Sequence, residues 1–124
     1  MAQREQARSK GDLMYQNRSL TCNVDALAAH LDQAITSGSV SASIESGGEF
    51  AIGDARMIVR TYERYSMAGG NRLTLSVSML AADGQVEVAL TTSGGSQAIF
   101  FKINRFGEDA FMGRAMEALD SFAG

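Results

Sequence analysis

The residues best suited to bind something lie in two glycine-centred segments. One runs Ser66-Met67-Ala68-Gly69-Gly70-Asn71-Arg72, the other Ser93-Gly94-Gly95-Ser96-Gln97. Successive backbone amides in a turn can point into one concavity and take an oxyanion. Gly69, Gly70, Gly94 and Gly95 would supply such amides, and Asn71, Arg72, Ser93, Ser96 and Gln97 would surround them with side-chain donors. Arg72 suits a phosphate or carboxylate, because its planar fork meets two oxygens at once. The plainer reading is that the four glycines only satisfy turn geometry.

A second candidate is a basic-aromatic stripe. Within 55–65, ARMIVRTYERY, strand alternation puts Met57, Val59 and Thr61 on one face. Arg56, Arg60 and Arg64 share the other with Ile58 and Tyr62. We expect that second face to point outward. Arg56, Arg60, Tyr62 and Arg64 would then form a homodimer interface, since arginine and tyrosine are favoured there. The plainer alternative is a solvated face with cross-strand partners such as Glu87. Stacking single-stranded bases ranks last, because the body of the chain is acidic.

Chemistry of the bond-making kind is poorly supplied. Cys22 and His30 would make a nucleophile and base only if the fold joined them. Glu63 and Glu87 have nothing to orient them toward a substrate. Ser93 and Ser96 lack the G-x-S-x-G context that exposes a nucleophile. One histidine among scattered carboxylates does not read as a metal site, so no metal or other cofactor is expected. Phe100, Phe101, Phe106, Phe111 and Phe122, with Met57, Met79, Met112 and Met116, would line an internal cavity or, more simply, fill a core.

These residues need elements to hold them. A chain of 124 residues suits one domain and buries about two-thirds of its unfolded surface. The first 20 residues set Arg4, Arg8, Lys10 and Arg18 against Glu5 and Asp12, a balance of +2; with a net charge of -3, the rest carries -5. The single cysteine precludes an internal disulfide. No apolar run approaches the ~20 residues of a membrane span, and the N-terminus lacks a secretory pattern. A cytoplasmic setting, without membrane contact, is the expectation.

Residues 1–12 read as a disordered tail and 13–124 as one domain. Residues 13–21 suggest a short edge strand. Asn23 caps a helix on which Val24, Leu27, Leu31 and Ile35 recur at helical spacing, ending at Ser37-Gly38. Val40, Ala42 and Ile44 alternate with serines as a strand, which Ser46-Gly47-Gly48-Glu49 breaks; 49–53 is ambiguous. Strands at 55–65 and 72–80 follow. Asp83-Gly84 is a hairpin turn, and Val86, Val88 and Leu90 mark the next strand. Residues 98–103, AIFFKI, read as a last strand or a buried irregular run, before a helix over about 107–122. The fold class is α+β: a four- to five-stranded antiparallel meander packed by an N-terminal and a C-terminal helix, a reduced helix-grip arrangement. Alternate turns of a meander share one end of the sheet. The two glycine segments should therefore be neighbours, with Asp83-Gly84 at the far end.

The runs YERYSMAGGNRLTLSV, TTSGGSQAIFFKIN and FGEDAF resemble, over about residues 23–120, an uncharacterised family of small bacterial domains of unknown function. The resemblance implies a single α+β domain and points to the same glycine turns; it implies no activity. The expectation is a non-enzymatic binding or regulatory domain. Its glycine-rich end would take a small anionic or polar ligand or a protein partner. The alternative is a self-associating structural protein.

Overall fold

In the computed structural model, residues 15–37, 42–66, 71–94 and 101–122 are described, and their side chains too except at 66, 71 and 101–110. The elements are β1 (Tyr15–Thr21), α1 (Val24–Ser37), β2 (Ser43–Ile52), β3 (Ala55–Ser66), β4 (Asn71–Ala82), β5 (Gln85–Gly94) and α2 (Phe101–Ser121). The fold is α+β. Five antiparallel strands lie in the order β1-β5-β4-β3-β2. β2 to β5 form the meander, and β1 pairs along β5 from Tyr15↔Thr91 to Thr21↔Gln85. The first helix thus follows a strand rather than opening the domain.

Sequence pattern accounts for the central strands. On β4, Leu73, Leu75, Val77 and Met79 are buried, and on β5, Val86, Val88 and Leu90. The β4–β5 turn has Asp83 at φ 55° and Gly84 at φ 78°, the left-handed conformation that those two residue types tolerate. Asn23 caps α1: its Oδ1 accepts from the Ala26 amide at 2.9 Å. Val24, Leu27, Ala28, Leu31 and Ile35 of α1 join Phe111, Met112, Ala115, Ala118 and Leu119 of α2 and the inner face of the sheet in one core.

Three expectations are corrected. Ser46-Gly47-Gly48-Glu49 does not break β2, which runs to Ile52 with a register shift between Ile44 and Ser46. Gly47 lies opposite Arg60, and a Cβ there would sit 3.1 Å from Arg60 Nη1, so the glycine leaves room for the guanidinium. Ile44, expected inside, is exposed because little helix covers this edge. Next, α2 begins at Phe101, so 101–103 are helical rather than strand, and 95–100 lie outside the described residues.

The third correction concerns β3. Its Arg/Tyr face points inward. Ile58 pairs with Met79 and Tyr62 with Leu75, so both share the buried side of β4. The arginines follow them inward because their apolar stems lie along the core while the charged heads reach its rim. Arg56 and Arg60 meet carboxylates of α1. The outward orientation expected of Arg56, Arg60, Tyr62 and Arg64 is therefore corrected: that face is the one the helices cover.

One carboxylate locks helix to sheet. Asp32 on α1 accepts from Tyr62 Oη at 2.7 Å and from Arg60 Nε at 3.0 Å. Burial, then the Asp32 carboxylate, holds the Tyr62 phenol protonated far above its ordinary range. Tyr62→Phe should cost about 1.5–3 kcal/mol, since a hydrogen bond to a charged acceptor is lost. Asp32→Ala should cost more, leaving the phenol and Arg60 without their acceptor. The double variant should fall short of the sum in urea denaturation; strict additivity would show that the three groups do not act together.

Candidate functional site

Register brings the flanks of the two glycine segments together. Ser66 pairs with Asn71, Tyr65 with Arg72, Thr74 with Ser93 and Leu73 with Gly94. Gly94 has φ 103°, and a Cβ on it would lie 2.4 Å from the Arg72 carbonyl oxygen, so β5 closes on β4 more tightly than any side chain allows. Gly69, Gly70, Gly95, Ser96 and Gln97 lie outside the described residues, as does the Asn71 side chain.

The sheet separates the polar groups at this end onto two faces. Arg72 and Ser93 belong to the outer face. There Arg72 pairs with Glu63, opposite in charge, and its guanidinium lies 5.7 Å from the centre of the Tyr65 ring. Arg64 belongs to the inner face, 5.5 Å above the Phe111 ring. Thr92, also on the inner face, is 1% exposed, and its Oγ1 has no hydrogen-bond partner among the described residues.

The sheet arginines differ in what neutralises them. Arg18 meets Asp120, Arg56 meets Asp25 and Glu49, Arg60 meets Asp32, and Arg72 meets Glu63. Arg64 alone among these has no carboxylate partner among the described residues; its contact is the Phe111 ring. A guanidinium on an aromatic face keeps its five donors for another acceptor. Sequence reasoning singled out Arg72, which flanks glycine, and placed Arg64 on the wrong face. It missed Thr92 altogether, which continues the Val86, Val88, Leu90 alternation.

The opposite end holds a shallow depression of about 490 Å³, whose lining includes Cys22, Asn23, Asp54, Arg56, Asp83 and Gly84. The key groups here already have partners. The Cys22 amide donates to the Gly84 carbonyl at 3.0 Å, and Asn23 caps α1. Arg56 donates to both Asp25 oxygens, at 2.9 and 3.0 Å, and through Nε to Glu49 at 3.0 Å. Burial raises the Cys22 thiol above its ordinary pKa, which keeps it out of the nucleophilic thiolate form. His30 places Nε2 3.1 Å from the Ala118 carbonyl, and its ring lies tilted against Phe122 with centroids 4.9 Å apart, so it serves the contact between α1 and the C-terminal end of α2. No group of three His, Cys, Asp or Glu among the described residues could hold a metal. No helix among them is long and apolar enough to cross a membrane. Of the aromatic and methionine cluster, Met79, Phe111 and Met112 lie in the buried core.

Comparison with known proteins agrees with the resemblance read from the glycine blocks. Residues 14–123 match the profile of DUF6054, a family of unknown function. The chain belongs to that family. No curated protein matches it. Among solved structures it is similar to TTHA0849 from Thermus thermophilus, at 13% identity and TM-score 0.31, over 89% of this chain and 99% of that one. It is also similar to Chr148 from Cytophaga hutchinsonii, at 6% identity and TM-score 0.32, over 92% and 99%. Likeness at these scores carries no argument about this DUF6054 chain.

The hydrogen bonds from Arg56 hold the Asp25 carboxyl below its ordinary pKa. A depressed folded value stabilises above the unfolded pKa and is lost as pH falls through the folded one. In a carboxyl NMR titration, Asp25 should titrate below the ordinary aspartate value and return to it in Arg56→Gln. An unmoved Asp25 would show that the bidentate pair does not persist in solution.

Proposed function

We propose that this DUF6054 chain is a non-enzymatic binding domain for a small anion, with its site at the glycine-rich end of the sheet. The observation that carries the reading is Arg64: a half-buried guanidinium, on the ordered sheet, with no carboxylate partner among the described residues. The neighbouring β4–β5 pairing at Gly94 supports it, since it sets the described flanks Arg72 and Ser93 close to one another. A cytoplasmic setting fits a chain whose one cysteine is a free thiol.

A thermal-shift screen against phosphate, organic acids and nucleotides tests this. A ligand at ~100 times its dissociation constant stabilises by about 2.7 kcal/mol, which moves the melting temperature by several degrees at this size. Arg64→Gln should remove the shift. A rise that persists in Arg64→Gln but vanishes in Arg72→Ala would move the site to the outer face. A flat screen would sink the reading.

Self-association is the second reading, and a different observation favours it. β2 is an edge strand whose ten residues are all exposed, among them Ile44 at 45%, Phe50 at 59% and Ile52 at 80%. Natural edges are usually protected by charge, proline or cover. With the arginine face covered by helices, association would use this edge. Light scattering should then show dimers, and Phe50→Lys with Ile52→Lys should give monomers. A wild-type monomer at millimolar concentration would reject this reading.

A further inference from the structure

Resting on the self-association reading at the β2 edge, we infer that a second copy of this chain pairs its β2 antiparallel with this one about Phe50, joining two five-stranded sheets into one of ten. Two observations meet at this edge. Among the described residues no strand lies beside β2 on the side away from β3. The same strand carries the end of an apolar row on the outer face, Phe50 opposite Met57 and Met57 opposite Leu80. Phe50 is 59% exposed and Leu80 45%. An open edge offers its backbone donors and acceptors to another strand. The open row favours a strand that sets an apolar side chain beside Phe50. The partner's Phe50 does this, and the two rows then run on as one, Leu80, Met57 and Phe50 followed by the same three residues in reverse.

The register follows from the strand itself. Residues directly opposite in an antiparallel pair share a face, so a two-fold axis passes through a residue and not between two. β2 is regular only between the shift at Ile44/Ser46 and the turn at Gly53, which has φ 58°. A bulge bends an edge away from further pairing. An axis through Gly48 would run the ladder into that shift. It would set Ile52, on the outer face, against the partner's Ile44, which lies in the inner-face row of Tyr62. An axis through Glu49 would set two carboxylates directly opposite, which repels. An axis nearer either end loses pairs to the shift or to the turn. An axis through Phe50 sets Phe50 on the partner's Phe50, Ile52 against the partner's Gly48 and Ala51 against the partner's Glu49. The glycine leaves room for the isoleucine, and each Glu49 keeps its own Arg56, whose Nε donates to it at 3.0 Å.

Disulfide trapping reads this register directly, with Cys22→Ser removing the native thiol. Opposite Cα atoms lie about 4.5–5.5 Å apart, within disulfide reach, whereas residue 48 or 52 would stand about 13 Å from its own counterpart. Under mild oxidation Phe50→Cys should give a covalent dimer. Gly48→Cys and Ile52→Cys should each stay unlinked, while the variant carrying both should link. A Cβ at Gly48 meets only Val59 Cγ2, at 3.8 Å, so the sheet accepts that substitution. In wild type, amide exchange within 48–52 should slow as concentration rises. A monomer by light scattering at millimolar concentration would overturn the self-association reading and this inference together. A dimer that links through Gly48→Cys or Glu49→Cys alone would leave self-association standing and sink the Phe50 register. The same holds for a dimer in which neither Phe50→Cys nor the Gly48→Cys/Ile52→Cys pair links, or whose 48–52 amides exchange at one rate throughout.

Discussion

Asp32 decides which way β3 faces. A strand whose two sides both carry apolar residues can present either one to a core. Here a single carboxylate on α1 accepts from Tyr62 and Arg60 together, which is satisfied only when both point toward the helix. Everything else on β3 follows from that choice. Arg56 reaches Asp25, seven residues earlier on α1, where two helical turns return to the same face. Four strand residues span about 13 Å and seven helical residues about 10.5 Å, so the two pairs form a ladder in step. The next rung would fall at position 39, where the sequence has a serine and no carboxylate. The ladder of arginine–aspartate pairs thus has two rungs among the described residues.

A single helical layer leaves the two faces of the sheet very different. The inner face packs on α1 and α2 and is apolar in its middle. The outer face carries Thr74, Ser76 and Ser78 on β4, and one of its rows is apolar from β2 to β4, Phe50 opposite Met57 and Met57 opposite Leu80. That row ends at the exposed β2 edge. Charged groups collect at the rim of the helical layer, where long side chains can cross from sheet to helix while their heads stay near water.

The parts of this fold legible in the sequence are those where one pattern excludes its rival. Leu73 to Met79 alternates cleanly with serine and threonine, Asp83-Gly84 allows one kind of turn, and Asn23 precedes a periodic helix. β3 was not legible, because Met57, Val59 and Thr61 look as core-like as Ile58 and Tyr62, and alternation says nothing about where an arginine's head goes. The start of α2 was hidden by AIFFKI, whose β-prone residues read as strand until tertiary packing overrides them. At the candidate site, adjacency of the glycine segments followed from meander geometry. The partner of each arginine did not, since Glu63 neutralising Arg72, and no carboxylate among the described residues neutralising Arg64, are facts of register. Thr92 was invisible for the same reason: a missing partner has no signature in a linear sequence.

The pairing of β1 with β5 has a consequence for how the chain assembles. Tyr15 and Thr91 are neighbours in the sheet but lie 76 positions apart in the sequence. Contacts so distant form late, because the loop between them must be ordered first. As the chain is synthesised, the hairpins from β2 to β5 close within short stretches, while β1 waits for its only strand partner. α1 can dock onto the β3–β4 hairpin through Asp32 before β5 exists. The last strand made is therefore the one that admits the first, and Gly94, where β5 presses onto Arg72, is among the final residues needed for that step.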